Sequence, residues 1–292
     1  MFPILSSTWL APKVRRLVVR APRVANRHKP GHFVIVRAYV GGERIPLTIA
    51  DSDKQNGTIT LVIQAIGATT ERLCSLQSGD ALPDVVGPLG KATEIESFGH
   101  VVLVGGGVGT AVIYPQASAL KAKGNRVTAV MGGRSKEYVI LENELKAICD
   151  AVFPCTDDGS YGYAGFVTGK LAELIADPAL PVNAVITAGP VPMMKAIAEA
   201  TRAKGILTIA SLNPIMVDGT GMCGGCRVTV NGKNLFACVD GPEFNAHEVD
   251  FASLTDRLTA YRDHERSTWT RLQNDENHQC KLQAALGEAM NK

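Results

Sequence analysis

The feature that most constrains this chain is a group of three cysteines near residue 230. Cys223 and Cys226 are separated by two residues, and Cys238 follows after a short segment. The stretches 227–230 and 233–236 flank an Asn-Gly pair, which favours a two-residue type I′ hairpin turn. In that register Cys226 lies opposite Ala237, so Cys238 returns beside the Cys-x2-Cys loop. The pattern therefore predicts three thiolates within reach of one metal centre.

Asp218 extends the cysteine pattern to a fourth candidate ligand. Plant-type [2Fe–2S] proteins use the spacing C-x4-C-x2-C followed by a distant Cys. Asp218, Cys223, Cys226 and Cys238 reproduce that spacing with Asp in the first position. A carboxylate can bind ferric iron, and the glycines of this segment let backbone N–H groups approach the sulfides. The alternatives are a zinc knuckle and a redox Cys-x2-Cys motif. Ligand softness favours the cluster.

Composition and charge indicate a globular protein of about two domains. The chain has 292 residues, of which 46% are hydrophobic and 20% charged. A net charge of +2 without a long Lys/Arg run argues against nucleic-acid binding. Seven cysteines concentrated around one motif predict reduced thiols and a cytoplasmic location. We expect no signal peptide and no membrane insertion, because no sufficiently long apolar run is present.

Residues 1–97 are predicted to form an antiparallel β-barrel. β-Branched segments separated by turn residues indicate strands at 14–20, 32–37, 44–49 and 58–63. One helix is predicted at 71–76, capped by Thr69 or Thr70 and ended by Gly79. The turn at 67–70 either caps this helix in the ordinary way or holds a pyrophosphate at its N-terminus. Likewise, the stretch 46–48 is either an edge strand with a proline or a contact for a ring and a phosphate.

Between residues 98 and 212 the pattern changes to alternating apolar strands and helices. The strands are predicted at 101–104, 126–131, 150–153, 183–187 and 206–209, and the helices near 112–123, 140–149, 169–176 and 192–203. Gly124 and Gly205 stand where helix C-caps belong. The continuous apolar first strand is typical of a strand covered on both faces. Together these features predict a doubly wound parallel α/β sheet of about five strands.

Three loops are predicted at the carboxyl edge of that sheet, where this architecture binds ligands. The first loop is glycine-rich and precedes a helix, which suits a diphosphate, although its spacing differs from the G-x-G-x-x-G fingerprint. The candidate nucleotide contacts in the three loops are Gly105, Gly106, Gly107, Gly109, Asp158, Gly159, Gly189 and Pro190. The loops predict a nucleotide site, and we expect residues 213–247 to form a cluster segment and residues 248–292 a helical tail.

The order of barrel, glycine-rich parallel domain and Cys-rich segment resembles the ferredoxin-reductase superfamily. Within it, the chain resembles the electron-transfer subunits that accompany dihydroorotate dehydrogenase, and most of all the small subunits of NADH-dependent reduced ferredoxin:NADP oxidoreductases, also called sulfide dehydrogenases. The motifs lie between residue 1 and about residue 262. They are Glu43-Arg-Ile-Pro-Leu-Thr-Ile-Ala-Asp51, Gly67-Ala-Thr-Thr-Glu-Arg-Leu73, Gly87-Pro-Leu-Gly90, Gly105-Gly-Gly-Val-Gly109, Asp157-Asp-Gly-Ser160, Ala188-Gly-Pro190 and Asp218-Gly-Thr-Gly-Met-Cys-Gly224.

The resemblance implies FAD on the barrel, NAD(H) on the parallel domain, with the three loops lining it, and a [2Fe–2S] cluster on the C-terminal segment. The implied FAD contacts are Pro46, Leu47, Thr48, Val62, Ile63, Gln64, Gly67, Thr69 and Thr70. The implied cluster ligands are Asp218 and the three cysteines, and an Asp in first position favours the ferredoxin:NADP branch. Many relatives carry an arginine at the position of Ile45. Here the arginine is Arg44, one step earlier, which a strand places on the opposite face.

The resemblance also implies a function and a partner. A hydride passes from NAD(H) to FAD, and single electrons leave through the cluster, so we expect no side chain to act as a general acid or base. The implied partner is a larger flavin and [4Fe–4S] subunit in a heterodimer or a higher assembly, in a reaction compatible with electron bifurcation. The alternatives are the electron-transfer subunit of a dihydroorotate dehydrogenase or soluble hydrogenase, and a zinc-stabilised, non-catalytic interaction module. Arg134 and Lys136 suit a 2′-phosphate and Glu142 a hydroxyl, so NADPH and NADH both stay open.

Overall fold

The computed structural model describes residues 1–271, so the end of the predicted tail, including Cys280, lies outside the described residues. This part of the chain contains two seven-stranded sheets and a separate two-stranded hairpin. None of its helices combines the length and the apolar character needed to cross a bilayer.

The first sheet is a nearly closed antiparallel barrel with strand order β6-β1-β2-β5-β4-β3-β7. Its apolar core includes Leu17, Ile49 and Leu61, which are fully buried. The predicted barrel is confirmed. Its elements are β1 (Phe2–Ala11), β2 (Val14–Arg20), α1 (Pro22–Arg27), β3 (Phe33–Arg37), β4 (Ile45–Asp53), β5 (Thr58–Gln64), α2 (Ala68–Ser75), β6 (Ala81–Leu82) and β7 (Asp84–Leu89).

The barrel differs from the sequence-based expectation in two ways. The elements β1, α1, β6 and β7 have no counterpart in the predicted strands and helix, because α1 and β6 are very short and β1 includes polar Ser and Thr. The prediction that Thr69 or Thr70 caps α2 is wrong, because the N-cap is Gly67. Thr70 lies one turn further in, and its hydroxyl accepts a hydrogen bond from Gly67 N at 3.0 Å.

The second sheet has the order β11-β10-β9-β8-β12-β13-β16, in which β16 is Glu243–Asn245, and its strands from β11 to β13 run parallel. The predicted doubly wound sheet is confirmed, although α4 is shorter than expected because Leu141 before it is left-handed, with φ at 59°. The elements are β8 (His100–Gly106), α3 (Thr110–Ala122), β9 (Arg126–Gly133), α4 (Glu142–Lys146), β10 (Ala151–Thr156), β11 (Tyr163–Ala164), α5 (Val167–Ala176), β12 (Ala184–Ala188), α6 (Val191–Arg202) and β13 (Leu207–Ser211).

The C-terminal segment begins with the predicted hairpin. Strands β14 (Arg227–Val230) and β15 (Lys233–Phe236) pair with Arg227 opposite Phe236. Asn231 and Gly232 have φ values of 48° and 70°, as a type I′ turn requires. Next come β16 (Glu243–Asn245) and α7 (Phe251–Thr259), and residues 262–271 are helical. Strand β16 joins the second sheet antiparallel to β13, which fixes the segment to the parallel domain.

One apolar cluster joins all three parts of the chain. It contains Phe33 and Ile35 from the barrel, Met194 from α6, and Cys226 and Leu254 from the C-terminal segment. Because these buried side chains pack together, the cluster segment has a defined position against both larger domains. The exact domain boundaries remain a prediction.

Candidate iron–sulfur, flavin and nucleotide sites

The four predicted ligands lie on one loop and the hairpin that follows it. Asp218 and Cys223 form one pair, with 3.3 Å between Cys223 Sγ and Asp218 Oδ1. Cys226 and Cys238 form a second pair, with 3.1 Å between their Sγ atoms. The hairpin register produces the second pair, because Ala237 N donates to Cys226 O at 3.0 Å and so places Cys238 beside the loop.

Two pairs of ligands suit a binuclear cluster better than a single ion. A [2Fe–2S] cluster takes two protein ligands at each iron, whereas structural zinc gathers four ligands around one ion. The donor set therefore fits a [2Fe–2S] cluster, with one carboxylate–thiolate pair and one thiolate–thiolate pair.

Hydrogen bonds hold Asp218 in its ionised form. Desolvation alone would raise the pKa of this carboxyl, but bonds from Thr220 N, Cys223 Sγ and Met222 N lower the pKa to about 2. The carboxyl is therefore ionised at physiological pH, as a metal ligand must be. The same bonds shape the loop, so Asp218 has a structural task besides any ligation.

The thiols differ in exposure. Cys223 is exposed, whereas Cys226 and Cys238 are buried. Desolvation and the hydrogen bond with the neighbouring Cys226 thiol raise the pKa of Cys238 to about 12. A metal that binds this pair therefore has to displace a proton.

The cluster loop packs directly on strand β3 of the barrel. A Cβ atom added to Gly219 would lie 2.9 Å from Ile35 Cγ1 and 2.6 Å from Leu89 Cδ1. The φ of Gly219, +78°, also requires glycine. Within the barrel, Ile35 pairs with Pro46 of β4. Strand β3 therefore links the cluster loop to the strand that carries the first candidate FAD residues.

The candidate FAD residues on strands β4 and β5 differ in what their side chains can reach. Ile63 is buried in the barrel core, so only its backbone is available to a ligand. Val62 faces the parallel domain, where it shares an apolar cluster with Ala111 of α3. Four further candidates are half-buried: Pro46, Leu47, Thr48 and Gln64.

The α2 start also lines a large cavity. In this turn Thr69 Oγ1 donates to Glu43 Oε2 at 2.5 Å, and Thr70 Oγ1 donates to Gly67 O at 2.9 Å. Both hydroxyls thus have protein partners, which leaves the first N–H groups of α2 as the donors that an anion would meet. The cavity measures about 770 Å³ and is lined by Tyr39, Glu43, Ile45, Ile66, Gly67, Ala68, Thr69, Thr70, Arg72, Arg262, His264, Glu265, Arg266, Thr268, Trp269 and Arg271.

The structure brings two of the three nucleotide loops into contact. Gly105 at the end of β8 lies opposite Ala188 at the end of β12. A Cβ atom at Gly106 would lie 3.1 Å from Pro190 Cδ, and one at Gly109 would overlap the Ala188 carbonyl. Glycine at these positions therefore lets the two loops pack closely just before the α3 start.

The third loop lies on the far side of β9 from the other two. Asp158 N donates to Arg134 O at 3.1 Å, which joins the loops after β9 and β10. The side chain and backbone of Ser160 hydrogen-bond the exposed Asp158 carboxylate and lower its pKa. Asp158 and Gly159 are therefore grouped with Arg134, apart from the glycines after β8.

Glu142, the candidate partner of a ribose hydroxyl, already has two protein partners. Tyr161 OH donates to Glu142 Oε1 at 2.9 Å, and Lys146 Nζ lies 2.7 Å from the same oxygen. Arg134 lies over the Tyr138 ring, 5.9 Å from its centroid. Glu142 and Arg134 thus both have partners within the chain.

Sequence reasoning missed two arginines at the cluster loop. Arg44 Nε donates to Val217 O at 2.7 Å, and Arg257 Nη2 donates to Gly225 O at 3.2 Å. These bonds join residues far apart in the chain, so no local pattern could reveal them. The one available signal was the one-step shift of Arg44, which predicts a side chain turned away from the flavin phosphate.

Comparisons with known proteins agree with this arrangement. Residues 213–250 match the iron–sulfur cluster binding domain of dihydroorotate dehydrogenase B. A Thermotoga maritima protein named as a homolog of the dihydroorotate dehydrogenase B (NAD(+)) electron transfer subunit is 46% identical over 268 residues, which cover 92% of this chain and 94% of that protein. The electron transfer subunit itself from Geobacillus thermodenitrificans is 33% identical, with 84% and 96% covered.

Solved structures of other proteins share this arrangement of domains. A structure of the NADH-dependent reduced ferredoxin-NADP oxidoreductase, described in terms of flavin-based electron bifurcation, is 44% identical with a TM-score of 0.88. The match covers 93% of this chain and 98% of that one. A ferredoxin reductase of carbazole 1,9a-dioxygenase reaches a TM-score of 0.60 at 17% identity over 70% of this chain and 65% of that one, which shows the fold alone.

Fold and site together define a ferredoxin-reductase-like electron-transfer protein with a C-terminal iron–sulfur cluster binding domain. The chain belongs to the family of dihydroorotate dehydrogenase B electron-transfer subunits and their homologues. The family resemblance expected from the motifs is confirmed. An electron-transfer subunit implies a larger catalytic partner subunit.

Proposed function

We propose that this chain is the electron-transfer subunit of an NADH-dependent reduced ferredoxin:NADP oxidoreductase. The observation that carries the proposal is the pairing of Asp218 with Cys223, and of Cys226 with Cys238, on a loop packed against the barrel. These four residues would hold the [2Fe–2S] cluster. When bound, FAD takes up a hydride as an electron pair and releases single electrons, which such a cluster carries one at a time.

The larger domains supply binding and orientation. We assign FAD to residues 1–97, with its contacts on β4, β5 and the α2 start, and NAD(H) to residues 98–212. The close packing of Gly106 and Gly109 against the 188–190 loop supports a diphosphate at the α3 start, where backbone N–H groups and the helix dipole favour negative charge. Residues 213–247 would form the cluster segment and residues 248–292 the tail.

An apolar seam joins the two domains beside the candidate FAD strand β5, and we propose that it excludes water from the site of hydride transfer. Val14 and Val62 of the barrel pack there with Ala111, Ile140 and Leu141 of the parallel domain. Water exclusion protects a hydride transfer from side reactions. No acid or base from the chain is required, because the transferred hydride carries both electrons with it.

The proposed partner is a larger subunit that carries flavin and [4Fe–4S] clusters, in a cytoplasmic heterodimer that performs electron bifurcation. Two facts support this choice. The 44% identical structure is that of an NADH-dependent reduced ferredoxin-NADP oxidoreductase. In addition, the residue proposed as the first cluster ligand is Asp218, whereas the dihydroorotate branch is expected to carry four cysteines. A dihydroorotate dehydrogenase partner is the second candidate, supported by the name of the 46% identical relative.

The test compares the lone chain with the chain plus its partner. The isolated holoprotein should reduce an artificial dye with NADH but should not reduce NADP with reduced ferredoxin. Adding the larger subunit should restore the ferredoxin-linked reaction. Full ferredoxin-linked activity from the lone chain would contradict the proposal, and dihydroorotate-dependent NAD reduction by the complex would favour the second candidate.

A further inference from the structure

Two arginines from distant parts of the chain bind carbonyl groups of the cluster loop. Arg44 lies one residue before β4 in the barrel. Its Nε donates to Val217 O at 2.7 Å, and its Nη2 donates to Asp218 O at 3.3 Å. The guanidinium therefore holds the backbone of the first candidate ligand.

Arg257 approaches the same loop from α7. Its Nη2 donates to Gly225 O at 3.2 Å and lies 3.5 Å from Gly224 O. These two glycines stand between Cys223 and Cys226. The two arginines thus bind opposite ends of the loop that carries three of the four candidate ligands.

Part of the Arg257 guanidinium is desolvated, which destabilises the folded protein unless a negative group lies nearby. Its Nε is buried and has no hydrogen-bond partner among the described residues. A buried, unpaired donor on a cationic group carries a desolvation penalty. A neutral side chain could fill this space without that penalty, so the positive charge itself calls for a negative neighbour.

A [2Fe–2S] cluster is such a neighbour. With four anionic ligands it carries a net negative charge, which grows by one when the cluster accepts an electron. A nearby positive charge therefore stabilises the reduced cluster more than the oxidised one. This effect raises the reduction potential, since hydrogen bonding and local charge are among the factors that set cluster potentials.

We propose that Arg44 and Arg257 are positioning residues that fix the ends of the cluster loop and raise the reduction potential of the cluster through their charge. The inference rests on the proposed function, because it requires the cluster. The step concerned is the gain of one electron by the oxidised cluster, with no bond made or broken. Arg44 lies only two residues before Pro46, so one segment touches both the cluster loop and the candidate FAD strand.

The experiment measures the potential of the cluster rather than turnover. Arg44→Gln and Arg257→Gln are compared with Arg44→Lys, Arg257→Lys and the wild-type holoprotein. Arg20→Gln is the matched control, because Arg20 is exposed on β2 of the same barrel. Each protein is titrated anaerobically with dithionite while EPR follows the reduced cluster. Iron and sulfide content report on cluster incorporation.

At the wild-type midpoint potential, each glutamine variant should show a ratio of reduced to oxidised cluster about tenfold lower than wild type, which corresponds to a shift of about 59 mV to lower potential for a one-electron couple. The lysine variants should stay nearer to wild type, because they keep the charge, and Arg20→Gln should not shift. Wild-type potentials in both glutamine variants, or an equal shift in Arg20→Gln, would overturn the proposal.

Cluster loss is also informative. If a glutamine variant fails to incorporate the cluster while the lysine variant incorporates it at a near wild-type potential, the assignment is supported. Equal loss from both variants would overturn the charge role. A wild-type protein that cannot hold a cluster would instead refute the proposed function, so the two failures are distinguishable.

Discussion

Gly219 of the cluster loop lies against Ile35 of strand β3, so closely that a Cβ atom at Gly219 would stand 2.9 Å from Ile35 Cγ1. Ile35 is also the sheet partner of Pro46. The contact therefore joins the candidate cluster site to the candidate FAD strand through one residue. Any side chain at position 219 has to push the loop away from the barrel.

Replacing Gly219 with alanine should weaken this junction. The left-handed backbone and the overlap with Leu89 and Ile35 together should cost about 1–3 kcal/mol. We expect lower cluster occupancy and slower electron transfer from FAD to the cluster, measured by iron content and rapid-mixing absorbance. Gly205→Ala, after α6, is the control, because its φ of +63° is also left-handed while no described atom lies within 4 Å of the added Cβ. Equal effects of the two substitutions would show that backbone strain alone matters.

Substitutions at Asp218 separate ligation from loop shaping. Asparagine keeps one acceptor oxygen, which can still accept the bonds that Met222 N and Cys223 N make to Asp218 Oδ2. It loses the second acceptor, which Thr220 N uses, and it is a poor ligand for iron. Asp218→Asn should therefore lose most of the cluster, whereas Asp218→Cys should keep it with an altered EPR spectrum. Asp256→Ala, an exposed carboxylate on α7, serves as the control. Wild-type iron content and EPR in Asp218→Asn would mean that Asp218 only shapes the loop.

Gly109 tests the nucleotide site. An alanine there would collide with the Ala188 carbonyl and separate the loops after β8 and β12. We expect the Kd for NADH to rise at least tenfold, a loss of about 1.4 kcal/mol, with unchanged FAD content. Titration of the holoprotein with NADH measures the effect. The matched control is Gly124→Ala at the end of α3, where the added Cβ would meet no described atom within 4 Å. Unchanged NADH affinity in Gly109→Ala would place the diphosphate elsewhere.

Glu243 predicts a pH dependence of stability. Its Oε1 accepts hydrogen bonds from Thr93 and Gln116 at the junction of all three parts of the chain. Desolvation raises the pKa of Glu243 from 4.5 to about 7. Because the folded-state pKa lies above the unfolded value, the folded protein binds this proton more tightly. The contribution of this proton binding to the free energy of unfolding is fully present below pH 4.5 and is lost as the pH rises through about 7.

Glu243→Gln should remove this dependence, because glutamine stays neutral. The free energy of unfolding of the variant, relative to wild type, should increase by roughly 3 kcal/mol as the pH rises from acid to neutral values. Chemical denaturation at several pH values measures this difference. Glu137→Gln, at an exposed position, controls for loss of surface charge. If the free energies of unfolding of wild type and Glu243→Gln changed in parallel with pH, folding would not raise the pKa of the Glu243 carboxyl.

Local sequence patterns were sufficient to predict the hairpin and the parallel sheet. The Asn231-Gly232 pair dictates a two-residue turn, and that turn sets the register that places Cys238 beside Cys226. Long apolar runs such as 101–104 indicate buried parallel strands, because both faces must be covered. These features depend on near neighbours in the chain, which a sequence displays directly.

Contacts between distant residues could not be predicted in this way. Arg44 and Val217 are 173 positions apart, and Glu243 and Gln116 are 127 apart. Only the packing of the three parts of the chain brings them together. The cap of α2 was assigned wrongly for a related reason. Several residues in the stretch 67–70 suit an N-cap, and the surrounding fold decides that the helix begins two or three residues earlier than predicted.

The most direct test of the central claim is EPR spectroscopy of the anaerobically purified protein before and after addition of NADH. We predict a coloured protein that contains iron and flavin, is EPR-silent when oxidised, and gains the signal of a reduced [2Fe–2S] cluster once NADH is added. A colourless, iron-free protein that stays so after reconstitution with iron and sulfide would contradict the account.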